Sequence, residues 1–227
     1  MFFRPDYAAP GPGVDPDAPE KTGAARLFEI VQLECVTLVK LNLLFLLSCI
    51  PLVTLPPALF AMHQVVRKMV LDQPVLCFYH YRTAFRNFFW NAYAAFLLTA
   101  LPLVCAGFGL IFYLNRAAEN PLFFLPFVVC STIFLVVLLA SPYLYGFLST
   151  GRSLPESVRL ALTFGLGRPF RAILAVLSYY GPLLAAILAF PISALYLLLI
   201  GFSVPCLLGC FFLRTVLKPF TLEPKEE

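Results

Sequence analysis

Two histidines, His63 and His80, and a few carboxylates are all that the apolar body of this sequence offers for acid–base chemistry. Outside the polar ends and the segment leading into the first apolar run, the carboxylates are Asp72, Glu119 and Glu156. None stands at a zinc-protease spacing or pairs with another as glycoside cleavage requires. "GLGR" at 165–168 is half a phosphate loop without the Lys-Ser/Thr end, and it predicts a helix break instead. "STGRS" has no nearby base to activate a serine. Of the seven cysteines, Cys35, Cys49, Cys105, Cys130, Cys206 and Cys210 sit in apolar runs, where a thiol packs as a small hydrophobe. Cys206 and Cys210 share a helix face, but no histidine or carboxylate lies near them to complete a metal site. The expectation is a non-enzymatic protein with no metal and no cofactor.

A different chemistry lies in "LVKLNLLFLLSCIPLVTLPPALFAMHQVVRKM", residues 38–69. Lys40 and Asn42 are costly in lipid and normally face protein or water. Asn42, Ser48, Thr54 and His63 could line one polar seam with Lys40 at its end, shaped by Pro51, Pro56 and Pro57. Alternatively, Lys40 snorkels to the interface and Asn42 bonds a neighbouring backbone carbonyl. Both readings stay open here.

The elements that carry these residues are helices in a bilayer. The chain is 61% hydrophobic and 12% charged, outside the range of ordinary soluble domains. Charge is missing from Asn87 to Asn115, from Asn120 to Gly151 and from Ala172 to Leu213. About 20 apolar residues make one spanning helix, so the first two gaps hold one span each and the third holds two, with Pro191 at the turn. The expectation is an all-α polytopic membrane protein with spans over 91–114, 122–147, 171–190 and 192–213. A Pro-broken helix or hairpin over 36–66 precedes them, making five to six hydrophobic segments in one helical domain over 26–218. Polar, Pro- and Gly-rich residues 1–25 read as a disordered tail and 219–227 as a second, short one.

Charge orients the chain. Lys and Arg collect on the cytoplasmic side, which claims Arg67, Lys68, Arg82 and Arg86, then Arg152, Arg159, Arg168 and Arg171, then Arg214, Lys218 and Lys225. A single crossing at the prolines leaves 11 basic residues inside and 5 outside; a turn there leaves 15 and 1. Three prolines between 51 and 57 also make a poor continuous helix. A re-entrant or broken hairpin is favoured, with both termini cytoplasmic. The net charge of +4 therefore reflects topology and not nucleic-acid binding.

"FYHYRTAFRNFFWNAYAAFLL" and "SLPESVRLALTFGLGRPFRAILAVL" each place a basic or amphipathic lead-in before a span, which suggests an internal repeat. Both lead-ins should lie in the cytoplasmic interface, with Arg67, Lys68, Arg82, Arg86, Asn87 and Arg168 as contact residues. Small residues at every fourth position (Ala185, Ala189, Ser193; Gly201, Pro205, Gly209) offer close-packing faces.

The stretch from Leu38 to Met62, with "VRKMVLDQP" and "FYHYRTAFRNFFWNA" after it, resembles the YesL-like, or DUF624, family of bacterial membrane proteins. Asn42, Pro51, Thr54, Pro57, Ala58, Phe85, Asn87 and Phe88 fit that family's pattern, while Pro56 stands where the family tends to have Gly. The resemblance implies no established activity. It implies an accessory role beside an ABC-type carbohydrate importer in the bacterial cytoplasmic membrane, because such proteins often accompany carbohydrate-uptake genes. The expected partners are the lipid bilayer and an importer permease or a second copy of the chain. The alternative is a small-solute transporter or channel whose path is lined by the Pro-rich hairpin.

Overall fold

The computed structural model describes residues 23–117 and 120–221. The expectations for 1–22, 118–119 and 222–227 fall outside them. Ten α-helices follow in order among the described residues: α1 (Ala24–Leu33), α2 (Cys35–Ser48), α3 (Leu55–Val70), α4 (Cys77–Asn87), α5 (Phe89–Ala117), α6 (Phe124–Leu148), α7 (Leu154–Gly167), α8 (Pro169–Leu188), α9 (Ala194–Leu199) and α10 (Ser203–Thr221). Short 3-10 turns precede α3 and α6.

Four of these helical stretches are long and apolar enough to cross a bilayer: Phe89–Ala117, Pro121–Leu148, Pro169–Leu188 and Ser203–Phe220. Their outward positions carry large apolar side chains, among them Leu101, Phe108, Val129, Ile133, Leu177 and Leu184. Water would not tolerate so continuous an apolar surface, and lipid does. The protein is all-α and polytopic.

The chain turns round at the prolines. Leu33 and Glu34, at the foot of α2, line the same recess as Met69, Asp72 and Pro74 beyond the end of α3. The helices α2 and α3 are therefore antiparallel arms joined by residues 49–54. Pro56 and Pro57 fall in the first turn of α3, where a missing N–H costs nothing and the fixed φ suits the helix. At 14 and 16 residues the arms measure about 21 and 24 Å, short of the roughly 30 Å hydrocarbon core. The amphipathic α1 does not lengthen the first arm, because the chain bends by 72° between α1 and α2.

Two packed cores share α3 and α10. One gathers α1, α2, α3, α4 and the first half of α10 around Leu38, Leu41, Met62, Val66 and Cys206. The other gathers α5, α6, α7 and α8 around Tyr143, Phe147, Ala172 and Leu213, and Phe60 of α3 reaches into it. Twelve of the 16 residues of α3 are buried, so the returning arm of the hairpin is the central helix of the molecule.

One local feature differs from the sequence reading. In place of one span over 192–213, the last apolar run forms the short α9, a break at 200–202, and α10. Gly201 sits in the break, where a Cβ would lie 2.5 Å from the Leu197 Cα, so the chain folds back on itself too tightly for any side chain. The lead-in α4 packs on the hairpin, with Tyr81 and Ala84 buried against α2 and α3. The lead-in α7 ends at Gly167, and Pro169 starts α8 at its first position, so "GLGRP" breaks the helix as read.

Candidate functional site

Asn42 is fully buried on α2, and its amide reaches the break in the last apolar run. Its Nδ2 donates to the carbonyls of Leu197 (3.0 Å) and Leu198 (2.8 Å) at the end of α9. Its Oδ1 accepts from the N–H groups of Phe202 (2.9 Å) and Ser203 (3.2 Å) where α10 begins. A helix end leaves carbonyls without partners and a helix start leaves N–H groups without partners. One carboxamide supplies donors to the first set and an acceptor to the second. Among uncharged side chains only the carboxamides of asparagine and glutamine carry both an NH2 donor pair and a carbonyl acceptor.

The turn of the hairpin is closed by hydroxyls. Thr54 Oγ1 donates to the Ser48 carbonyl and lies 2.6 Å from that of Pro51, serving the C-terminal end of α2. Ser48 Oγ donates to Leu44 O at 2.7 Å, and the Tyr81 hydroxyl of α4 donates to Ser48 Oγ at 3.0 Å. Thus α4 is fastened to the tip of the hairpin.

His63 faces elsewhere. It projects from α3 towards α6 and α8, with its ring centroid 5.1 Å from that of Tyr145 and 5.4 Å from that of Tyr179. Its Nδ1–H donates to Leu59 O at 3.0 Å. It lines a cavity of about 310 Å³ with Phe96 and Thr99 of α5, Ser141 and Tyr145 of α6, and Tyr179 and Tyr180 of α8. Of the two readings the sequence left open, Asn42 follows the second, bonding backbone carbonyls, and the single polar seam is divided in three. Asn42 serves the α9–α10 break, Ser48 and Thr54 with Pro51 form the turn, and His63 joins a hydroxyl cluster that the sequence reading missed. Lys40 is exposed on α2. The missed signal was a set of hydroxyl residues, Thr99, Ser141, Tyr145, Tyr179 and Tyr180, inside otherwise apolar runs.

The expected contact residues also separate. Arg82, Arg86, Asn87 and Arg168 are exposed, and Lys68 is partly so. Arg67 is buried, which corrects its placement among surface contacts. The reason is that α3 continues unbroken to Val70 inside the bundle and packs along α10. Phe78, Tyr79, Arg82, Thr83, Arg86 and Asn87 line one open groove on the outer face of α4. On the same helix His80 Nδ1 accepts from the Leu76 N–H at 3.0 Å. Partial burial, and then the charge of Lys68, hold His80 below its usual pKa. Arg168 lies over the Phe164 ring at 5.8 Å.

Most of the hairpin and the whole α4 lead-in lie in the part of the chain that matches a family model. Residues 38–116 match the family described as "Protein of unknown function, DUF624". The matched segment begins in α2 and ends in α5, so it holds all but the first three residues of the hairpin, and the α4 groove. The positions Asn42, Pro51, Thr54 and Pro57, on which the resemblance was read, all lie in it. No curated protein and no solved structure matches the chain.

Proposed function

We propose that this integral membrane protein is a non-enzymatic accessory of an ABC-type carbohydrate uptake system in the bacterial cytoplasmic membrane, with both termini cytoplasmic. The observation that carries the contact role is the outer face of α4. Phe78 and Tyr79 are each 63% exposed beside the exposed Arg82 and Arg86, while the opposite face of the same helix is locked to the hairpin through Tyr81. Aromatic residues and arginine are the side chains that dominate the binding energy of protein contacts. A rigid scaffold presenting them loses little entropy on association. The carbohydrate association itself rests on the family resemblance.

In the alternative, a transporter or channel in its own right, the hairpin lines the path. Asn42 and Thr54 are instead engaged with backbone groups, which gives them a structural task. The deciding experiment places a photo-crosslinking residue at Tyr79 or Arg82 in native membranes and identifies what is captured. An importer permease recovered from these positions, and lost on changing both Arg82 and Arg86 to alanine, supports the accessory role. A homo-oligomer with no companion, together with solute uptake by the purified protein in liposomes, overturns it.

A further inference from the structure

We infer that the cavity around His63 is a lateral binding site for a neutral lipid carrying a free hydroxyl group, entered from the bilayer between α5 and α8. This site is independent of the α4 contact face.

The route of entry follows from packing. Both α5 and α8 pack on α6, and neither makes a substantial contact with the other. The cavity between them has α3 as its back wall, through Leu59 and His63, and α6 as its floor, through Ser141, Pro142 and Tyr145. Its rim carries Val104 of α5, 54% exposed, and Tyr180 of α8, 38% exposed. Both helices are membrane spans, so this mouth opens on lipid and a ligand arrives by diffusing in the bilayer plane.

The chemistry of the lining selects the ligand. Most of the wall is apolar, and the residues lining it include no carboxylate, guanidinium or ammonium group. An ionised head group would find no counter-charge there and would be expelled. The polar groups present are hydroxyls and one imidazole. His63 is 6% exposed. Because its Nδ1–H is committed to the Leu59 carbonyl, its Nε2 is a bare acceptor, and Nε2 has no hydrogen-bond partner among the described residues. The Tyr179 hydroxyl, whose ring packs against the imidazole, likewise makes no hydrogen bond among them. By contrast Thr99 Oγ1 already donates to Ala95 O at 3.0 Å and meets the Tyr145 hydroxyl at 3.4 Å. A ligand hydroxyl donates to Nε2 and accepts from a tyrosine O–H at once. A bare carbonyl offers Nε2 nothing, and a hydrocarbon serves neither group. The volume of about 310 Å³ is at the lower end for small-molecule sites, so it takes the polar end and first part of a chain whose remainder stays in lipid.

The test uses the purified full-length protein in lipid nanodiscs and a hexadecanol analogue with a diazirine near its hydroxyl. Labelling should map to Phe96, Thr99, Tyr145 and Tyr180. Excess hexadecanol or dioleoylglycerol should suppress it, and whichever of these competes better names the lipid class. Hexadecyl sulfate and hexadecane should not compete. His63→Phe keeps the ring stack and removes Nε2, so labelling should fall about tenfold. Val104→Trp closes the mouth from an exposed position that the fold does not depend on, and should abolish labelling with the thermal midpoint unchanged. Labelling spread along the outer surfaces of α5 and α6, or equal competition by hexadecane or hexadecyl sulfate, would overturn the proposal. So would full labelling of the Val104→Trp protein.

Discussion

Replacing Asn42 with alanine strips partners from four backbone groups at once, two carbonyls and two N–H groups, at a fully buried position. With each orphaned group costing about 1–3 kcal/mol, and some relaxation of the break, the expected loss is about 3–5 kcal/mol. For a chain of this size that lowers the thermal midpoint by roughly 6–20 °C, measurable in detergent with a thiol-reactive dye that reports exposure of the buried Cys206 and Cys210. Asn42→Asp should do no better, because a carboxylate cannot donate to Leu197 and Leu198. Leu43→Ala, beside it but outward-facing, should change little. Asp72 makes the opposite case. It bridges Arg26 of α1 (2.6 Å) and Arg214 of α10 (3.0 Å), yet the carboxylate is 43% exposed and both pairs are screened. Its φ of +57° also suits Asn as well as Asp. Asp72→Asn should therefore cost less than about 1 kcal/mol by the same dye measurement, while Asp72→Val, which is strained at positive φ, should cost more.

The hairpin depends on which groups meet at its tip. Thr54→Val removes the hydroxyl that serves the end of α2, and Tyr81→Phe frees α4 from Ser48; each should cost about 1 kcal/mol. Because Thr54 and Tyr81 both act through Ser48, the double change should fall short of the sum of the two. Proline content argued for a turn, and the reason is now local: Pro56 and Pro57 begin α3 and do not interrupt it. Antiparallel arms also place Glu34 and Asp72 at one end of the bundle. Single cysteines at these two positions, in a protein whose native cysteines are replaced, should react from the same membrane face with an impermeant maleimide. Reaction from opposite faces would mean a single crossing.

Across the whole molecule, the ends of α3, α6 and α10 gather on one side: Arg214 meets Asp72, and Phe220 meets Phe147 and Arg152. The turn at Asn120, between α5 and α6, lies at the other end of the antiparallel pair whose contacts run from Thr99–Tyr145 to Tyr113–Phe123. With the basic end cytoplasmic, a cysteine at Asn120 should label in intact cells and one at Lys218 only after permeabilisation; the reverse pattern would invert the proposed orientation.

Helix class and the number of long apolar spans were legible without coordinates, because hydropathy over some 20 residues is a local property. Sequence also marked Asn42 as a residue that must find a polar partner. It could not say which one, since that partner lies about 155 residues away and exists only because Gly201 lets the chain break there. The same holds for His63, assigned by proximity in sequence to the seam of Asn42 and Thr54. Along a helix, neighbours in the chain point to different faces. Packing of α3 between α10, α5 and α6 turned His63 towards the tyrosines of α6 and α8 and drew Arg67 inside. Periodicity reveals that a face exists; what it meets is decided when distant helices dock.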